Sequence, residues 1–209
     1  MNARVRKTWH GAQGVLWAIV LAAAISGCAG SGIGFDQRWQ EEAALHDGRT
    51  MIVQRSQSRG GRHEIGQRPP VREHTIRFRL PNTGETVTWT SEYDKALGRT
   101  NFDLLAVHVL GATPYLVVAP NLCLSYNKWG RPNPPYVLFK REAGEWRRIT
   151  MAELPVEFKT INLIVSTGRD EAIDEASFSL GYVPAAAIRK FNSELDQPQF
   201  KSILREPYQ

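Results

Sequence analysis

The chain reads as a mainly β protein, an antiparallel sandwich or open barrel with a short C-terminal helical segment. Three observations predict this. Ile76, Phe78 and Leu80 alternate with Thr75, Arg77 and Arg79, the period-2 pattern of a half-buried strand. Short β-branched and aromatic runs recur between Gly, Pro and Asn punctuation from Phe102 to Ile149, as strands and turns do. Only after Pro184 does the spacing change, to Ile188, Phe191 and Leu195 on one helical face.

Taken in order, the first globular element is ambiguous. Gln40-Glu-Glu-Ala-Ala-Leu45 has helix propensity and Gly48 suits a helix stop. Asp47-Gly48 before Thr50-Met-Ile-Val-Gln54 is also a hairpin turn signal, and the strands that follow favour the hairpin. Arg55 to Arg72 reads as a long polar loop. Arg55, Arg59, Arg62, Arg68 and Arg72 face only Glu64 there, a local excess that concentrates anions. Within it, His63-Glu64-Ile-Gly-Gln67 starts like a zinc-protease helix but lacks the second histidine, so no metal site is read.

His74–Leu80, the turn Pro81-Asn-Thr-Gly84 and Glu85–Thr90 form a predicted hairpin with Val87 and Trp89 facing the core. Tyr93 to Thr100 is a polar connection. Phe102–Leu110, Tyr115–Ala119, Tyr136–Arg141 and Trp146–Ile149 are further strands, the last two a second hairpin, and Phe158–Val165 is a final one. His108 inside such a run is expected to be a hydrogen-bonded core histidine. Helices are expected over about 184–206, Pro184 suiting a first turn.

The most informative globular stretch is Ser125-Tyr-Asn-Lys-Trp-Gly-Arg-Pro-Asn-Pro-Pro135. Its prolines fix φ and remove donors, so it reads as a stiff loop presenting Tyr126, Lys128, Trp129 and Arg131. Flat aromatic faces suit sugars or peptides, and the two cations suit carboxylates or phosphates. These four are the candidate partner-binding residues, and the five arginines of 55–72 the candidate anion contacts. Trp129 folded back as a lid on the sandwich edge is the architectural alternative.

Residues 1–28 read as an address rather than as fold. Arg4, Arg6 and Lys7 precede the apolar run Val15–Ile25, and Ile25-Ser-Gly27 leads into Cys28. That is a secretory signal, and its apolar run is shorter than the roughly 20 residues a transmembrane helix needs. Ile25-Ser-Gly-Cys28 resembles the lipobox of bacterial lipoprotein precursors. The resemblance implies cleavage after residue 27, lipidation of Cys28, and membrane attachment through that lipid. Ala29, where inner-membrane lipoproteins often carry Asp, implies the outer membrane, facing the periplasm. Residues 28–35, with Gly30-Ser-Gly-Ile-Gly34, then read as a Gly/Ser tether, and 36–209 as a single domain. The run Tyr126-Asn-Lys-Trp-Gly-Arg-Pro132 likewise resembles proteobacterial envelope proteins of unknown function, which implies no activity.

Loss of the three signal cations leaves 23 basic against 21 acidic residues, so the high isoelectric point is no nucleic-acid signature, and none is expected as a partner. Cys123, flanked by Leu122 and Leu124, is expected to be a small buried hydrophobe. No G-x-S-x-G, P-loop, C-x-x-C or H-E-x-x-H is present, and no catalytic residue or cofactor is assigned. The expectation is therefore a lipid-anchored binding or structural module, its partner an envelope protein or an anionic envelope polymer. A hydrolase acting on peptidoglycan or lipid is the rival.

Overall fold

Alternating burial organises the domain into two facing sheets. The computed structural model describes residues 36–165 and 169–207, all within one compact unit spanning Ile33–Gln209. The predicted signal, Cys28 and the tether lie outside the described residues. The first sheet comprises β1 (Gln37–Ala44), β2 (Thr50–Arg59), β3 (Val71–Arg79) and β4 (Thr86–Thr90), in that order and antiparallel throughout. A two-residue ribbon, β5 (Tyr93–Asp94) with β6 (Arg99–Thr100), occupies the connection read as merely polar. The second sheet comprises β7 (Phe102–Leu110), β8 (Thr113–Pro120), β9 (Val137–Glu142) and β10 (Glu145–Ile149), ordered β10-β9-β8-β7. Neither sheet closes on itself, so the architecture is a sandwich rather than a barrel.

Inward positions of both sheets make one core, with Val53, Ile76, Phe78 and Val87 meeting Leu104, Val107, Leu116 and Val118. A bulge between Leu104 and Ala106 turns β7, so Leu104 and Val107 both face that core. Leu105, Ala106, Tyr115 and Leu138 fill a second core on the other face of the second sheet, beneath Leu154, Phe158, Ile161 and Ile203. Burial on both faces explains the imperfect alternation of β7. The predicted β1–β2 hairpin forms, with Glu41 opposite Val53 and Ala43 opposite Met51. The β3–β4 hairpin likewise pairs Phe78 with Val87 and Ile76 with Trp89.

The final predicted strand, Phe158–Val165, does not form. This segment runs beside β7, but Asn162 takes over the ladder with its side chain. Its Oδ1 accepts from Val107 N at 2.9 Å and its amide donates to Val107 O at 2.8 Å, while Leu163 N donates to Leu105 O. Backbone pairing is thereby replaced by a side-chain clamp.

Among the described residues three short α-helices complete the fold: α1 (Leu122–Lys128), α2 (Asp170–Ser177) and α3 (Ala185–Ser193). Pro184 is the residue just before α3, and the turn after it, Pro198–Phe200, is a single 3-10 turn. Ile173 of α2 and Ile188 of α3 bury with Trp39, Ile164 and Val183. That cluster covers the β1 edge, where Val183 forms a parallel bridge with Glu41.

Candidate functional site

One end of the sandwich carries the turns between strands and the other carries the long connections. At the turn end Asn82 joins neighbouring turns, accepting from Arg49 and donating to Gly111 O. The connection end gathers the start of β1, residues 60–70, the β5–β6 ribbon and α1. Both sequence-predicted stretches meet here. The Arg72 guanidinium lies over the Tyr93 ring at 4.7 Å, and Lys128 binds the neighbouring Asp94 at 2.9 Å and Glu92 at 3.2 Å.

The proline-stiffened loop begins later than predicted, because Leu122–Lys128 is helical. No Pro or Gly interrupts that run, and Trp129-Gly130-Arg131 terminates it. Gly130 takes φ +84°, its N–H donates to Asn127 O, and Arg131 N–H donates to Tyr126 O at 2.9 Å. This is the paired 5→2 and 6→1 closure of a Schellman motif, which requires the left-handed conformation glycine adopts without strain.

Tyr126 and Lys128 therefore project from a helix. Trp129 is half-buried, its ring 4.7 Å from Phe102, with Arg148 at 5.4 Å on the ring and its Nε1 donating to Asn101. It packs as the lid that sequence reading held as the alternative to an exposed anchor. Arg131 is exposed, and its Nε donates to Asn127 Oδ1 at 2.8 Å. Beyond it, Pro132 and Asn133 separate two shallow grooves of about 390 and 320 Å3. Tyr136 and Arg148 line the first, Tyr126 and Gln199 the second.

The basic stretch is not one loop. Arg55 and Arg59 belong to β2 and Arg72 to β3, so only residues 60–70 connect. Arg55 shares the inward parity of Met51 and Val53 and is 2% exposed. Its Nη1 donates to Glu41 at 2.5 Å, and its guanidinium lies 5.1 Å from the Trp39 ring centroid. As a buried ion-pair member it is no surface anion contact, which corrects the sequence expectation. Burial pushes the Arg59 guanidinium below its ordinary value, with the positive charge of Arg68 adding to the effect. Arg68 pairs with Asp170 at the start of α2, and Arg62 is exposed.

Buried ionisable groups lie deeper. His74 Nε2 stands 3.9 Å from Asp103 Oδ1. Burial holds the His74 ring down to about 3, reinforced by Arg55 and Arg59. Burial pushes the Asp103 carboxyl up to about 6, against the pull of Asn121, Arg99 and Arg55. Its side chain keeps 31% of its surface accessible, so the surrounding walls rather than full enclosure raise it. The nearby Ser91 hydroxyl accepts from His74 N and from Thr100 and makes no bond to the imidazole.

His108 is the predicted core histidine, bonded to Thr160 O at 3.0 Å and stacked on Phe158 at 4.6 Å. Cys123, by contrast, is exposed on α1 between Leu122 and Leu124, 63% and 65% exposed. A seven-residue helix lying on a sheet end buries one side only, here Ser125. His108 pairs with Tyr115, five residues before the end of β8, so Cys123 lies roughly 17 Å along the strand from it and the two form no catalytic pair. Among the described residues, no three His, Cys, Asp or Glu side chains gather as metal ligands.

Sequence reasoning missed α2, whose buried face is essentially Ile173, and the Glu41–Arg55 pair. The signal for the latter was parity: Trp39, Glu41 and Ala43 share one face of β1, and Met51, Val53 and Arg55 one face of β2. Comparison with protein-family models, curated proteins and solved structures finds no match for this chain.

Proposed function

We propose that this chain is a lipid-anchored cell-envelope protein, held at the outer membrane through Cys28 and facing the periplasm, that binds or supports a partner rather than catalysing. The observation that carries this reading is the apolar run Val15–Ile25 ending in Ser26-Gly27-Cys28. Several acyl chains hold a protein at a bilayer where one alone binds marginally. The binding half of the reading is supported by the connection end of the sandwich. There Tyr126 lines one of the two grooves beside Pro132 and Asn133, and Lys128 and Arg131 stand exposed on the same helix and the turn that ends it, open to an envelope protein or an anionic polymer.

The rival, a hydrolase of peptidoglycan or lipid, draws on one observation: His74 beside Asp103 near a buried arginine. Cys28→Ser separates the first reading from any other. It is expected to abolish incorporation of labelled fatty acid and to leave the signal uncleaved; undiminished labelling refutes the anchor. Wild-type protein is expected to sediment with outer membrane on sucrose gradients. Hydrolysis of purified envelope polymer that His74→Ala abolishes, in a protein still folded, would instead establish the enzyme.

A further inference from the structure

We infer that the connection end of the sandwich is a membrane-docking face, seated on the phospholipid bilayer that holds the anchor. This deepens the proposed function and rests on lipidation of Cys28. Three observations meet there.

The first is the length of chain. Cys28 precedes Asp36 by eight residues, which span at most roughly 27 Å when fully extended. Asp36 itself is fixed to this end, its Oδ1 accepting from Arg59 N at 3.3 Å, beside the start of the 60–70 connection. Whatever course those eight residues take, this end of the domain stays within one bilayer thickness of the lipid surface.

The second is the placement of apolar side chains. Ile65 is 106% exposed, and Leu122 and Leu124 are 63% and 65% exposed. All three project from the same end, linked through the ribbon: Gly61 approaches Gly98 O, and Asp94 binds Lys128 of α1. Phe178 and Val156, 91% and 69% exposed, lie away from α1 and the 60–70 connection in sequence, and Ile52 and Leu110 near the turns are each 40% exposed. Isolated exposed apolar residues are ordinary, but three at the end bearing the tether match an interfacial insertion pattern.

The third is charge. Glu92 and Asp94 are held by Lys128, and Asp170 by Arg68, while Glu64, next to Ile65, accepts from the Gln67 amide. Arg62, three residues before Ile65, and Lys95, in the turn of the β5–β6 ribbon, are exposed. Cations flanking inserted apolar residues bind lipid phosphates, and each adds to attachment on an anionic leaflet.

The test uses the full chain, produced with labelled fatty acid and reconstituted into vesicles of phosphatidylethanolamine and phosphatidylglycerol. In a Cys123→Ser background, Ile65→Cys carries an environment-sensitive fluorophore. Leu124→Cys serves as a second reporter and Thr83→Cys as the control at the turn end. Positions 65 and 124 are expected to shift to the blue and to be quenched several-fold less by iodide than position 83. Arg62→Glu with Lys95→Glu is expected to reverse that protection while fatty-acid labelling is retained. Lipidated, vesicle-bound protein in which position 65 is quenched like position 83 overturns the docking face alone. That result holds equally if this end instead takes a protein partner. Absence of the fatty-acid label overturns the anchor reading, and the docking face with it.

Discussion

Replacing Glu41 by Gln is expected to be among the most damaging isosteric changes in this domain. Glu41 is 0% exposed and takes three donors: Arg55 Nη1 at 2.5 Å, Trp39 Nε1 at 3.3 Å and Ile164 N at 3.1 Å. The last of these ties the segment after β10 to the first strand. A glutamine keeps one acceptor oxygen and turns the other position into a donor, so at least one partner meets N–H against N–H. The larger loss is charge. A guanidinium does not deprotonate in a protein, and Arg55, with a side chain 0% exposed, would be left without a directly bonded counter-ion. Breaking a buried pair from one side costs about 3–5 kcal/mol, a large share of the roughly 5–15 kcal/mol that holds a domain folded. At about 2 kcal/mol per molar of urea, the unfolding midpoint should fall by about 2 M. Adding Arg55→Met to Glu41→Gln removes the orphaned charge and should restore most of the loss, since apolar replacement of a buried pair is often neutral. Urea titration of the four proteins of this cycle, followed by tryptophan fluorescence, measures the coupling. A Glu41→Gln protein that loses less than about 1 kcal/mol refutes the reasoning, because the Arg55 charge would then be satisfied without Glu41.

Trp129→Ala should cost about 2 kcal/mol, less than the roughly 3–5 kcal/mol of a fully buried aromatic, because one face of the ring is covered by Phe102; an unchanged melting temperature would return Trp129 to the role of exposed anchor. Cys123 should be alkylated rapidly in the folded protein, and Cys123→Ser should change stability by less than about 0.5 kcal/mol; protection from the reagent would mean that α1 packs otherwise. Asn162→Leu should destabilise by about 3 kcal/mol, since it removes the bonds to Val107 and Ala44 and orphans buried backbone groups; a fully stable variant would show that the clamp is dispensable. Stability should fall on acidification. Burial holds His74 at about 3 and His108 at about 4, so between those values and the ordinary 6.5 the unfolded chain binds more protons. Asp103, raised to about 6, opposes this between roughly pH 4 and 6, but it is one part-exposed group against two buried imidazoles. Thermal midpoints at about pH 7 and about pH 4.5 check the sign, and His74→Asn should flatten the dependence.

The strands were legible wherever apolar and polar residues alternate cleanly. Ile76 and Phe78 against Trp89 and Val87 pair as the pattern requires, because one face is core and the other solvent. The failures have particular causes. Arg55 sits in the inward series Met51, Val53, Arg55, Gln57, but its partner lies across the β1–β2 register, so only the pairing reveals that a charge can be buried there. Cys123 was misjudged from two flanking leucines, whose burial depends on what a short helix rests against. Phe158–Val165 carries strand-like residues, yet Asn162 offers the ladder a side-chain substitute. The helix α1 was hidden by the prolines that follow it, although Trp129-Gly130 already held the stop signal.

The sheet edges constrain how a partner can bind. Adding a strand to an exposed edge is a common mode of recognition, and here each edge is occupied or blunted. The β1 edge is taken by Val183, which donates to Gln40 O and accepts from Glu42 N. The β7 edge is taken by Leu163 and the Asn162 clamp. At β4, only five residues long, Thr88 O already accepts from the Trp146 indole at 3.0 Å. The β10 edge carries Glu145, Arg147 and Arg148, with Arg147 held by Glu142 and Glu153, and edge charges discourage pairing. A partner is left with side chains on faces and connections rather than free backbone. The long connections are concentrated at one end, so the proposed recognition and attachment share it. If Cys28 carries the proposed lipid, the grooves beside Pro132 and Asn133 open close to the lipid surface, where they favour an occupant that is itself bound to the membrane.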